Sequence, residues 1–344
     1  MTSAALKASA DAFAIRRPRL AKLLRRAPRF RDLLAVLGGA IPLGVVGVVA
    51  FLTIYAWPAV MLNGWGFVGG SEWNLGSTYA DPIVTNGIPV LPGAHYAILF
   101  LIGGTLLSTA IAMIVAVPVG VGAAIFLAEA VPSWARLWLS LFVELLAAIP
   151  SVVFGLWGYA VLIPLVGKHI APAMSLWLGW IPFLGGSPGN GYGLLAASLV
   201  LSLMIVPLIT VTLRDAIVSQ PDSLRETAAA LGATRFETVW LVIMPGLRTV
   251  LIGACVLAIG RALGETMAVL MVSGNALGGL PSNIFGPVST MASFIVSQLD
   301  SALTDPTGFA VRSLAEIALA LCLMSIAVNT LARLLLSYAN GGRP

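Results

Sequence analysis

The chain reads as long apolar runs separated by short polar or proline-rich connections. Crossing a bilayer as a helix takes about 20 apolar residues. Six runs meet that length, near 33–62, 96–127, 137–166, 191–213, 238–272 and 312–336. Pro118 is expected to kink the second, because proline lacks an N–H and its ring crowds the preceding turn. The apolar piece Met174–Leu184 is too short to span, and Trp177 and Trp180 suit an interfacial position. The connection 63–95 is rich in Gly, Pro and Asn and has no Lys or Arg. Between the last two runs, Ile284–Leu299 is apolar but interrupted by Pro287 and laced with Ser and Thr. A short re-entrant or interfacial helix is expected there.

Composition agrees with this pattern. Of 344 residues, 59% are hydrophobic and 10% charged, with mean hydropathy +0.98. Soluble domains carry roughly 25% charge, so the expectation is an all-α integral membrane protein of about six transmembrane helices. The net charge of +5 is concentrated: nine of the 19 basic residues precede residue 32. A long apolar run follows this tail, so topology explains it and no nucleic-acid partner is needed. The basic region and the run after it are too long for a cleavable signal. Residues 1–32 are read as a cytoplasmic tail lying on anionic lipid. With that tail inside, the three outer connections contain one basic residue, Lys168. Arg136, Arg214, Arg225, Arg235, Arg333 and Arg343 fall inside, so 337–344 is a second cytoplasmic tail. The resulting division is the tail, a first helix and external loop over 33–95, and a core over 96–336 with a charged cytoplasmic loop at 214–238. Cys255 and Cys322 lie in apolar runs and form no disulfide scaffold, while His95 and His169 are unclustered. No metal site is expected from ligands so spaced.

Charges inside the apolar runs carry the chemistry. Within GRALGETMAV, Gly260 to Val269, Arg261 and Glu265 are four apart and on a helix would share one face. A charge at mid-membrane costs about 3 kcal/mol on insertion scales. Two jobs fit Arg261: binding an oxyanion through its planar fork, or locking helices through Glu265. Gly260 and Gly264, on the neighbouring face, have the small-xxx-small spacing that allows another helix close. Glu144 lies two turns before Pro150 and suits either a helix lock or a path lining. Arg312 and Glu316, also four apart, read as a membrane-edge anchor.

The longest charged stretch outside the tail, Arg214 to Glu237, runs into the string RETAAALGATRFETVWLVIMPG, Arg225 to Gly246. Pro221, Asp222 and Ser223 suit a helix start, and Gly232 ends or bends that helix. Two short helices with a sharp turn are expected, serving either as a solvated connector or as a docking element. This stretch resembles the coupling loop of permease subunits of ATP-binding-cassette importers. Glu226, Ala228, Gly232 and Pro245 match at the family spacing, while Thr227, Val242 and Met244 replace Ala, Ile and Leu. The resemblance implies a loop that docks in a cleft of a partner ATPase, with Glu226 pairing there and Gly232 permitting the turn. Closure of that ATPase on ATP would switch the spans between inward and outward openings. No G-x-x-x-x-G-K-[ST] string is present, and Gly167–Lys168 is followed by His169. ATP and Mg therefore belong to the partner, and the chain is a cofactor-free transport subunit rather than an enzyme.

GRALGETMAV, with ELLAAIPSVVFGLWG at Glu144 to Gly158, resembles the C-type permease subunit of the phosphate-specific importer. That resemblance implies a type I importer permease fold in a bacterial inner membrane, with Arg261, Glu265, Glu144 and Thr266 along the substrate path. It also implies a related second permease subunit, a dimeric ATPase and an extracytoplasmic phosphate-binding protein. Other readings are a permease for sulfate or molybdate, and a secondary transporter working without an ATPase. The coupling stretch argues against the latter.

Overall fold

The computed structural model describes residues 28–339. The basic tail up to residue 27 and residues 340–344 lie outside the described residues. The chain divides between Ile54 and Tyr55 into two units. In the first, the described residues are all helical and begin helix α1 (Pro28–Gly69). In the second, α1 continues to Gly69, interrupted at Gly64, whose φ is +51°.

The connection that follows is ordered by two small antiparallel ribbons. Strand β1 (Trp73–Asn74) pairs with β4 (His95–Tyr96), and β2 (Ile83–Thr85) pairs with β3 (Ile88–Val90). Asn86 and Gly87, at φ +53° and +79°, make the two-residue turn between β2 and β3. Positive φ at both positions matches the right-handed twist of the flanking strands.

Helix α2 (Leu99–Ala130) closes on a π-type turn at Phe126–Ala130, and Pro118 sits inside it. Helix α3 (Ser133–Ala148) stops before Pro150. Ile149 is extended, at ψ 131°, as a residue before proline is driven to be. The chain restarts as α4 (Ser151–Leu178), which contains π-type turns at Gly158–Leu162 and Val166–Ile170. This corrects the expected third span. Pro150 ends a helix in the middle of 137–166, and the element long enough to cross is α4. It also takes up part of Met174–Leu184, the piece expected not to span.

Helix α5 (Leu194–Val218) is the most enclosed of the long helices. After it come α6 (Asp222–Ala230), α7 (Arg235–Gly246) and α8 (Arg248–Leu263), the last two meeting at 71° about Leu247. A break at 264–266 separates α8 from α9 (Met267–Val272). The chain ends with α10 (Met291–Leu303) and α11 (Phe309–Ala339). Among the described residues, five helices are long and apolar enough to cross a bilayer: α1, α2, α4, α5 and α11. The bent pair α7–α8 supplies a sixth when counted as one span.

Lipid offers little hydrophobic drive between helices, so small residues and close packing hold such bundles together. Gly120 of α2 shows this at α5. A Cβ there would lie 2.9 Å from Ile209 Cγ2, and the Thr210 hydroxyl donates to the Gly120 carbonyl at 3.3 Å. A buried apolar cluster of Val121, Ala124, Leu213, Ile217, Val239 and Ile243 joins α2, α5 and α7 at one end. At the opposite end Trp73, Tyr96, Phe100, Phe294 and Phe309 stack edge-on or tilted, tying the ribbon β1–β4 to α10 and α11. The expected short helix over 284–299 is instead α10. It begins later because Thr290 and Ser293 form a capping box, and the Met291 N–H donates to Thr105 Oγ1 of α2.

Candidate functional site

Two places gather the chemistry. The first is the elbow between α6 and α7. Helix α6 starts after Pro221 and ends at Leu231. Gly232 then takes φ +83°. Its N–H donates to Ala229 O, and the Ala233 N–H donates to Ala228 O, both at 3.0 Å. This is the paired closure of a helix on a left-handed residue, for which glycine has the least strain. Two residues later Thr234 caps α7. The Thr234 N–H donates to Glu237 Oε2 at 2.8 Å, and the Glu237 N–H donates to Thr234 Oγ1 at 3.3 Å. Ala228 is buried beneath the elbow, while Glu226 and Thr227 are exposed. Leu231 and Phe236, at its tip, are 85% and 72% exposed. Of the remaining loop residues, Met244 is buried, Val242 is exposed and Pro245 is half-buried just before the bend at Leu247.

The second place is the pair of helix breaks. Gly155 of α4 packs on α9: a Cβ there would lie 3.0 Å from Ala268 Cα and 3.4 Å from Met267 O. Gly158, one turn on, meets Val200 of α5 and Val272 of α9. The helix starts at Ser151 and Met267 therefore differ in level along α4 by about one turn, roughly 5 Å.

Arg261 sits in the last turn of α8 and is exposed. Glu265 does not share its helix. Gly264 ends α8, so the four-residue spacing no longer stacks the two side chains. The Glu265 carboxylate accepts from the Ala268 N–H at 3.3 Å, capping α9 where a negative group is favoured. Thr266, half-buried, opens α9 and donates its hydroxyl to Gly264 O at 3.2 Å. Among the described residues neither Arg261 nor Glu265 forms an ion pair.

Other sequence expectations are rearranged too. Glu144 does not reach Arg261; it pairs with Arg214 Nη2 of α5 at 2.9 Å. Gly260 faces Asn329 of α11, whose amide lies 3.6 Å from where a Cβ would stand. Gly264 serves the helix end and meets only its own α8 backbone. Glu316 is 6% exposed and accepts from Asn63 Nδ2 at 2.9 Å, so it is no edge anchor and has no ion pair with Arg312. The partners of Arg214, Asn329 and Asn63 carry no sequence signal, because they lie far along the chain. Above the breaks lies an open cavity of about 490 Å³, lined in part by Asn190, Tyr192, Met271 and Asn275. Desolvation first, then the neighbouring Tyr159, pushes the Tyr192 phenol up from its ordinary value.

Residues 116–340 match the family described as "Binding-protein-dependent transport system inner membrane component". The chain belongs to this family. It is 46% identical to the Phosphate transport system permease protein PstC 1 of Mycobacterium tuberculosis, over 86% of this chain and 89% of that protein. It is 38% identical to the Phosphate transport system permease protein PstC of Haemophilus influenzae, over 83% of this chain and 85% of that one. Among solved structures, a chain of the inward-facing MetNI methionine ABC transporter overlaps 70% of this chain and 93% of its own, at 16% identity and TM-score 0.46. The family match covers the elbow, both breaks and all of α5 to α11. By that family match and its apolar helices, the protein is a multi-pass inner-membrane component of a binding-protein-dependent transport system.

Proposed function

We propose that this permease passes inorganic phosphate into the cytoplasm, driven by ATP hydrolysis on a separate dimeric ATPase. The observation that carries the reading is Arg261: an exposed guanidinium with no ion pair among the described residues, at the end of a helix that breaks deep in the bundle. An arginine in that position costs about 3 kcal/mol unless an anion or water meets it. Its planar fork suits two oxygens of a tetrahedral oxyanion. The phosphate permease names of the relatives specify which oxyanion.

A free arginine alone would hold phosphate too tightly for turnover. Glu265, tethered four residues away and bound to α9 by a single hydrogen bond, is the group that competes for Arg261 after passage. Thr266 lines the same break, and Glu144 acts indirectly, by holding Arg214. A related second permease completes the path, and the cavity above α9 faces an extracytoplasmic phosphate-binding protein. Both termini and the elbow are cytoplasmic. Leu231 and Phe236 give the ATPase an apolar grip, Glu226 and Thr227 flank it, and the Gly232 turn fixes its angle. ATP and Mg reside on that ATPase.

The test is phosphate uptake by the full importer carrying Arg261→Gln. The expected result is loss of nearly all uptake with the complex still assembled. Uptake at the wild-type rate would remove Arg261 from the path.

A further inference from the structure

We infer that Arg225 is a positioning residue that transmits movement of α6 to the membrane helices α2 and α5; this rests on the coupling role given to the elbow above. Arg225 belongs to α6, yet its side chain points away from the exposed face and into the bundle end. All three guanidinium nitrogens are engaged. Nε and Nη2 donate to Glu129 Oε1 at 3.2 and 2.8 Å. Nη2 also donates to the Ile217 carbonyl at 3.0 Å. Nη1 donates to the Gln220 carbonyl at 3.1 Å and to Asp222 Oδ1 at 3.3 Å.

These partners belong to three helices and, for Gln220, to the connection between α5 and α6. Glu129 lies in the π-type turn that closes α2. Ile217 is in the last turn of α5, whose end carbonyls lack helical partners and favour a cation. Asp222 begins α6 itself. Among the described residues Arg225 is the one side chain of α6 that bonds to α2 or α5. Arg225 and Glu129 keep 25% and 23% of their side chains exposed, so the pair is shielded but not sealed.

A planar fork with several bonds resists rotation as well as extension, which a lysine point charge does not. A push on α6 therefore arrives at the ends of α2 and α5 together. Those two helices are locked to each other by Gly120, Ile209 and Thr210. Further along, α5 touches Gly158 of α4 through Val200. The route runs from elbow to breaks through packed side chains, with Arg225 at its entry.

The test uses the complete importer in proteoliposomes, with ATP hydrolysis and radiolabelled phosphate uptake measured on the same vesicles. For Arg225→Ala the expected result is about a tenfold fall in phosphate moved per ATP hydrolysed, with hydrolysis within about twofold of wild type. Arg225→Lys falls between the two. A merely structural role would lower assembly, or both activities in parallel, and leave the ratio untouched. If Arg225→Ala does not assemble, Glu129→Gln, which keeps the volume and removes the charge, reads the same ratio. A wild-type ratio in the variants that assemble overturns the inference. Wild-type complex without ATP-driven phosphate uptake would instead bring down the functional reading, and this inference with it.

Discussion

The elbow offers a graded test at Gly232. The residue sits at φ +83°, and no atom lies within 4 Å of a Cβ built there. Side-chain clash is therefore absent, and substitutions report on backbone conformation alone. An L-residue in the left-handed region costs roughly 1–2 kcal/mol, less for asparagine, whose side chain bonds locally. A cost of that size changes the ratio of formed to unformed elbow about 5- to 30-fold. Proline is a different case. Its ring fixes φ near about −65°, which is incompatible with the turn. It also deletes the N–H that donates to Ala229 O, a bond contributing about 1 kcal/mol net. The assay is ATP-dependent phosphate uptake, normalised to the amount of permease in the membrane and to co-purifying ATPase. The expected order is wild type, Gly232→Asn, Gly232→Ala, then Gly232→Pro with no uptake. Normal uptake by Gly232→Pro would refute the reasoning, as would an alanine variant weaker than the proline one.

Three further outcomes follow from the same geometry. Gly104→Ala drives a methyl into the Ser289 carbonyl and to 2.6 Å from Val288 Cγ2. Overpacking of this kind costs about 1–3 kcal/mol, seen as a lower unfolding midpoint in detergent; an unchanged midpoint counts against the close α2 contact. Asn63→Leu leaves the buried Glu316 without its donor, about 1–3 kcal/mol, whereas pairing it with Glu316→Leu recovers most of the loss; equal losses in single and double variants would show that the bond does not matter. Glu265→Gln keeps an acceptor for the Ala268 N–H but removes the charge that competes for Arg261. Uptake should slow while purified complex retains more phosphate, and unchanged retention would exclude Glu265 as the competitor.

Much of the architecture could be read from run length alone, because a bilayer imposes a minimum number of apolar residues. Four of the six expected spans, a short helix in the region of 284–299 and the Gly232 turn follow from local signals. The third span did not. Pro150 is visible in the sequence, yet apolar residues continue on both sides, and composition does not separate a kinked helix from one that ends. Likewise the Arg261–Glu265 spacing presupposes an unbroken helix, and Gly264 between them ends it. Partner choice was the least legible part. Glu144 meets Arg214 across 70 positions, and Asn63 meets Glu316 across 253. Periodicity carries no information about such meetings; only packing decides them.

The two breaks have a consequence for how the protein can be watched. Peptide groups at membrane depth that leave the helix persist only where protein or water satisfies them. The first amides of a new helix have no partner within it. Ser151 and Met267 begin such helices within about one turn of each other in level along α4. Deuterium offered from one bath should enter these amides only when the permease is open to that bath, while helical amides on either side stay protected. The gaps are thus a built-in depth gauge, able to tell from isotope uptake which way the path faces at each stage of the cycle.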